Sequence, residues 1–185
     1  MESLPKAAII MKVGPHSNMS LESIIASKKA EEVIHGVHYW GYSGSFCRPV
    51  PTQNFCKWAK RTYGEDPSII LLETKSTYTS SIGYITKYSK DNRLFVPFQA
   101  PVQLQGAQFS FVAKNLRTID SFSPSKYIVY GGKNNGKTLS EHLRYRVNKS
   151  FALLNTSVQL GQDEQQNIRV LVATLVEPYA IWLNE

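Results

Sequence analysis

Residues 131–138 read GGKNNGKT, which spells G-x-x-x-x-G-K-[ST], the loop with which nucleotide hydrolases cradle phosphate. In that chemistry glycines let backbone N–H groups curl around phosphate oxygens, the lysine neutralises them, and the Ser/Thr hydroxyl ligates magnesium. Gly131, Gly136, Lys137 and Thr138 occupy the required positions, and Lys133 adds a second ammonium. The same residues admit a plainer reading. Asn135-Gly136 is a strong two-residue turn signal, because both positions accept positive φ. Thr138 and Glu141 form T-x-x-E, a capping box in which the hydroxyl serves the helix's own N–H groups. The later apolar strand also ends in Glu177 and Pro178, where a hydrolase would carry the aspartate that helps to hold magnesium. Magnesium is therefore expected only if the loop is a true hydrolase loop, and no other cofactor or metal is predicted. Under either reading the two lysines flank glycine-rich backbone at the start of a predicted helix, where amide groups and the helix dipole favour an anion.

A second stretch, HYWGYSGSFCR at residues 38–48, interleaves Tyr39, Trp40, Tyr42 and Phe46 with glycine and serine and ends at Arg48. Rings of this kind stack on bases, and a guanidinium binds phosphate. Strand alternation would place Trp40 and Tyr42 on one face and Tyr39 on the other, so that part of the set belongs to the core. GYSGS lacks the second glycine of a nucleophile elbow. His16, in GPHSN between the first strand and the first helix, is a candidate phosphate donor or general acid–base group, and His38 is a weaker one. KSTYTSS at 75–81 supplies hydroxyl donors beside Lys75, and Arg144, Arg146 and Lys149 form a basic surface. Cys47 and Cys56 are too few and too far apart for a disulfide scaffold or a paired zinc site.

These groups must be positioned by an α+β chain. The apolar run 6–13 predicts a buried strand. A helix follows over 20–35, with Ser20 as N-cap and Gly36 as terminator. Residues 37–42 predict a strand, 52–63 a helix ended by Gly64, and 68–74 another strand. This βαβαβ order favours a partly parallel sheet. From 80 to 114 the β-prone runs are separated by Asp-Asn, Pro and Gly, which predicts antiparallel strands or hairpins. A strand at 126–130, a helix over 139–148 and a long strand at 167–177, cut by Pro178, complete the chain. The expectation is one domain over 1–185, with about three helices on a mixed or mainly antiparallel sheet of about seven to nine strands.

The totals bound the function. Of 185 residues, 21 are Lys or Arg against 14 acids, a net charge of +7 that favours anionic partners. No segment approaches the roughly 18 apolar residues of a membrane span, and AAIIM near the N-terminus is too short for a secretion signal. Cytoplasm, with both thiols reduced, is the expected compartment. Carboxylates are few and scattered, which favours binding over turnover. The leading expectation is therefore binding, sequestration or sensing of a small phosphorylated ligand, a nucleotide or nucleotide-like signal. A nucleotide hydrolase or phosphodiesterase using His16 or His38 is the alternative, and a basic nucleic-acid-binding protein the next. Homo-oligomerisation through an open strand edge is compatible with each.

Overall fold

The computed structural model describes residues 3–14, 19–74, 82–105, 107–143, 149–157 and 168–184. The chain runs β1 (Ala7–Val13), α1 (Leu21–His35), β2 (His38–Tyr42), α2 (Pro49–Tyr63) and β3 (Ser68–Glu73). The strands β4 (Ile82–Ser89), β5 (Val96–Gln105) and β6 (Phe109–Phe122) follow. Last come β7 (Tyr127–Val129), α3 (Leu139–Leu143), β8 (Lys149–Leu154) and β9 (Ile168–Asn184). All nine strands belong to one mixed sheet of order β2-β6-β9-β3-β1-β8-β7, with β4 pairing β5 and the far end of β9. The α+β expectation holds.

Local chemistry accounts for the boundaries. The Ser20 side chain accepts from the Ser23 N–H to open α1, and Gly36 closes it at φ 73°. Helix α2 starts earlier than expected, at Pro49, because a proline at the first helical position forgoes only an N–H that has no partner there. Gly64 ends it at φ 74°. Strand β8 was not expected: KSFALL is short, and it lies next to a pattern read as helix over 139–148, of which residues 144–148 lie outside the described set.

Strands β1, β3 and β9 are near-continuous apolar runs because both faces are covered. Ile9, Met11, Ile69, Leu71, Leu171 and Ala173 point to the face packed by Phe55, Cys56 and Ala59 of α2 and by Leu21, Ile24 and Ile25 of α1. Ile10, Ile70, Leu72, Val170 and Val172 point the other way, against Phe122, Tyr127 and Leu139. Beyond them, β4 and β5 fold across Tyr39, Val112 and Ile181 as a third cluster.

Pro178 does not cut β9 as expected. The β6–β9 register shifts between Phe111 and Ala113, whose partners are Ala180 and Leu175, so the Pro178 segment bulges out of the ladder and needs no donor there. Further shifts between Lys114/Arg117 and Ile119/Phe122 bend the same pair of strands.

Candidate functional site

Among the described strands, β1 and β3 form the parallel pair, in register from Ala8–Ser68 to Val13–Glu73. In sheets of this kind the crevice beyond the carboxyl ends of parallel strands is the place where ligands collect. Several other segments reach the same end. β8 runs antiparallel to β1, so its first residue, Lys149, lies opposite Met11. β7 runs antiparallel to β8 and finishes with the Tyr130 N–H donating to the Phe151 carbonyl, so residues 131–138 also leave from this end. The 43–48 segment before α2 arrives there too, because the Lys149 Nζ donates to the Ser43 carbonyl at 3.0 Å.

Lys149 is the most informative group at this end. Its ammonium lies 5.4 Å from the centroid of the Tyr42 ring and donates to a neutral carbonyl. It has no carboxylate partner among the described residues. Burial holds its pKa below the ordinary lysine value, while the neighbouring Cys47 thiol pulls the other way. A partly desolvated cation without a counter-charge is costly unless an anion joins it.

The 43–48 segment is pinned around one carbonyl. The Tyr42 hydroxyl and the Thr52 Oγ1 both donate to the Cys47 carbonyl, the latter at 2.8 Å, and Cys47 takes a positive φ of 57°. That anchoring leaves Phe46 61% exposed and Arg48 exposed without an ion pair among the described residues. Pro49 and Pro51 remove two amide donors from the first turn of α2. An anion here would therefore be held mainly by side chains. The Cys47 thiol, pushed up to about 12 by burial, is a poor nucleophile at neutral pH.

Residues 131–138 adopt a capped turn. The Gly131 N–H donates to the Asn135 side chain at 2.7 Å, and the Gly136 N–H to the Val129 carbonyl at 2.8 Å. The Asn135 and Lys137 amides close on Gly132 and Asn134. Gly131, Gly132 and Gly136 all take positive φ. The Thr138 hydroxyl accepts from the Glu141 N–H, and the Glu141 carboxylate accepts from the Thr138 N–H, each at 3.3 Å. Most of the amides that a phosphate loop directs at its ligand are thus used inside this one, and the hydroxyl that would ligate magnesium serves as a cap. Lys133 and Lys137 remain exposed.

The aromatic expectation for β2 needs correction. Tyr39, Trp40 and Tyr42 alternate between faces as expected, yet all three are buried: Trp40 and Tyr42 in the core under the helices, Tyr39 beneath β5. Both faces of β2 are covered, so none of these rings is open to stack on a base. His38 is also fully buried, at the opposite end of β2 from Tyr42, with Nδ1 2.9 Å from Glu32. Burial lowers its pKa, and it has no route to an external substrate. Beside it, the Lys28 ammonium pairs with Glu31 at 2.9 Å and sits 5.6 Å from the Trp40 ring centroid. His16, Arg144, Arg146 and the 75–81 hydroxyl run lie outside the described residues.

The sequence grouped Lys149 with a basic surface and did not single it out. Its partners, Ser43 and Tyr42, lie more than a hundred positions away, and no local pattern signals the contact. No protein-family model matches the chain, and neither a curated protein nor a solved structure is significantly similar to it.

Proposed function

We propose that the protein binds a small phosphate-bearing ligand, a nucleotide or nucleotide-like signal, at the end of the sheet where β1 and β3 finish. The observation that carries this reading is the Lys149 ammonium, half-withdrawn from water and facing a carbonyl and a ring but, among the described residues, no carboxylate. A phosphate oxygen at this ammonium would supply the missing charge. Arg48 and the exposed Phe46 stand on the segment that Lys149 holds, suited to a second phosphate oxygen and to a flat base. Binding is favoured over turnover because the one thiol beside Lys149 is held protonated, His38 lies at the other end of β2, and His142 is buried against Asn134.

Thermal unfolding against a panel of nucleotides, cyclic nucleotides, the matching nucleosides and inorganic phosphate tests the reading. A ligand at a hundred times its Kd stabilises by about 2.7 kcal/mol, a shift of several degrees for a chain of this size. Phosphorylated members should raise the midpoint and the nucleosides should not. A flat response across the panel would reject the proposal.

A further inference from the structure

Another surface runs from the 131–138 turn along the outer flank of α2. Trp58 and Tyr130, from α2 and the end of β7, stack with ring centroids 4.8 Å apart and planes 14° from parallel. Tyr63 meets Trp58 edge-on at 6.0 Å, and Phe55 and Phe151 stack beneath at 4.5 Å. The upper members of this row are not sealed: Trp58 is half-buried and Tyr130 keeps 38% of its surface exposed. A core needs no aromatic pair left at its rim, so what surrounds the pair matters.

Cations predominate around the pair. Helix α2, PVPTQNFCKWAKRTY, contains no acidic residue, and neither does YGGKNNGKTLS from Tyr130 to Ser140. Glu65, Asp66 and Glu141 lie just beyond these two segments. Arg61 follows Trp58 by three positions and so shares its flank of the helix, with Lys57 on the adjoining ridge. Lys133 leaves the sheet three residues beyond Tyr130. Lys57, Arg61 and Lys133 are exposed and make no ion pair among the described residues, whereas Lys60 is held by Asp66 at 3.0 Å.

We propose that this flank binds single-stranded nucleic acid, with bases stacking on the Trp58–Tyr130 pair and phosphates running past Lys57, Arg61 and Lys133. Rings beside a charge row are what unpaired strands use, because every base offers a π-face while the backbone needs only spaced cations. A duplex keeps its bases stacked inside and would gain the charge term alone. The surface meets the Lys149 end at the 131–138 turn but uses other side chains, Trp58, Tyr130, Lys57, Arg61 and Lys133, and the inference does not depend on Lys149.

The test uses the full chain with a fluorescein-labelled dodecamer of deoxythymidine, the same sequence as a duplex, and poly-glutamate as a non-nucleic polyanion. Single strands should bind at low salt and weaken with a log–log slope of about −2, the value for three phosphate contacts. Arg61→Gln, exposed and outside the core, should reduce that slope by about 0.7. Trp58→Ala should cost on the order of ten-fold or more in affinity, and Tyr130→Ala, in case the tryptophan variant folds poorly, should also weaken binding. Lys149→Met should leave the oligonucleotide curve unchanged. Duplex or poly-glutamate binding as tight as the single strand would overturn the proposal, as would a single-strand curve indifferent to Arg61→Gln and Tyr130→Ala, or no binding at low salt.

Discussion

The Lys149 Nζ lies 3.0 Å from the Ser43 carbonyl, although four strands lie between β8 and β2, which Ser43 follows. Flat strands spaced about 4.8 Å apart could not bring those two residues together through one side chain. The sheet must curl, and the register shifts along β6–β9 are where its long strands bend. Lys149 therefore reports on the whole sheet: its surroundings exist only once β2, carried round by β6 and β9, has closed over the end of β1.

Lys149→Met separates a ligand-binding role from a structural one. The substitution removes one hydrogen bond and an uncompensated charge, terms of opposite sign, so unliganded stability should change by less than about 1 kcal/mol. The stabilisation by a phosphorylated ligand should fall by about 1.5–3 kcal/mol, the worth of a hydrogen bond to a charged group. A large loss of unliganded stability with ligand response intact would make Lys149 a structural strut.

The 131–138 turn predicts a split between neighbours. Gly136 has φ 83° and open space where a Cβ would stand, so Gly136→Ala should cost about 1–2 kcal/mol from backbone strain alone. Thr138→Ala should cost about 1 kcal/mol through the lost cap. Lys137→Ala, on an exposed side chain, should leave stability within about 0.5 kcal/mol. Denaturant titration of the three variants gives the ranking, and a destabilising Lys137→Ala would contradict it.

Elements with a strong local signal were legible in the chain. The apolar runs of β1 and β3, the Ser20 and Gly36 caps and the Thr138–Glu141 box could be read because each rests on residues a few positions apart. The candidate site was only partly legible. The aromatic content of β2 was plain, but whether Tyr39, Trp40 and Tyr42 faced a ligand or a core depended on β5 and the helices covering both faces. β8 was lost because its partners, β1 and β7, are distant in sequence. Pro178 misled because a bulge relieved the hydrogen bond that it cannot make.

Two buried histidines set a pH dependence of stability. Burial lowers the pKa of His38 from its ordinary 6.5, with Lys28 acting the same way and Glu32 opposing. Burial, Lys12 and Lys137 lower that of His142, whose Nδ1 lies 3.0 Å from the Asn134 amide nitrogen. In the unfolded chain both take up a proton near their ordinary value, and in the fold they resist it. Their stabilising contribution is therefore complete above that value and is lost as pH falls towards the lowered ones. Each histidine can contribute a slope of up to about 1.4 kcal/mol per pH unit. Denaturant midpoints between pH 7.5 and about 5.5 should fall, and His142→Gln should flatten the fall. Constant midpoints in the parent protein would contradict the assignment.

Two strand glycines beside Leu104 should respond to alanine with opposite sign. A Cβ on Gly41 in β2 would meet the Ala107 Cβ at 2.9 Å and Leu104 side-chain atoms at 3.4 Å, a clash with little room to relax where β2 passes the β5 layer. Gly41→Ala should lose about 1–3 kcal/mol through overpacking. Gly83 in β4 lies opposite Leu104 in the β4–β5 ladder, and a Cβ there would meet only the Leu104 carbonyl, at 3.9 Å. Gly83→Ala should be neutral or gain about 0.5–1 kcal/mol, because the unfolded chain loses freedom while the fold accepts the methyl group. With each kcal/mol worth about 2–4 °C in a protein of this size, melting curves resolve the two signs. A tolerated Gly41→Ala would mean that β5 does not press against β2, and the burial of Tyr39 beneath that layer would be wrong with it.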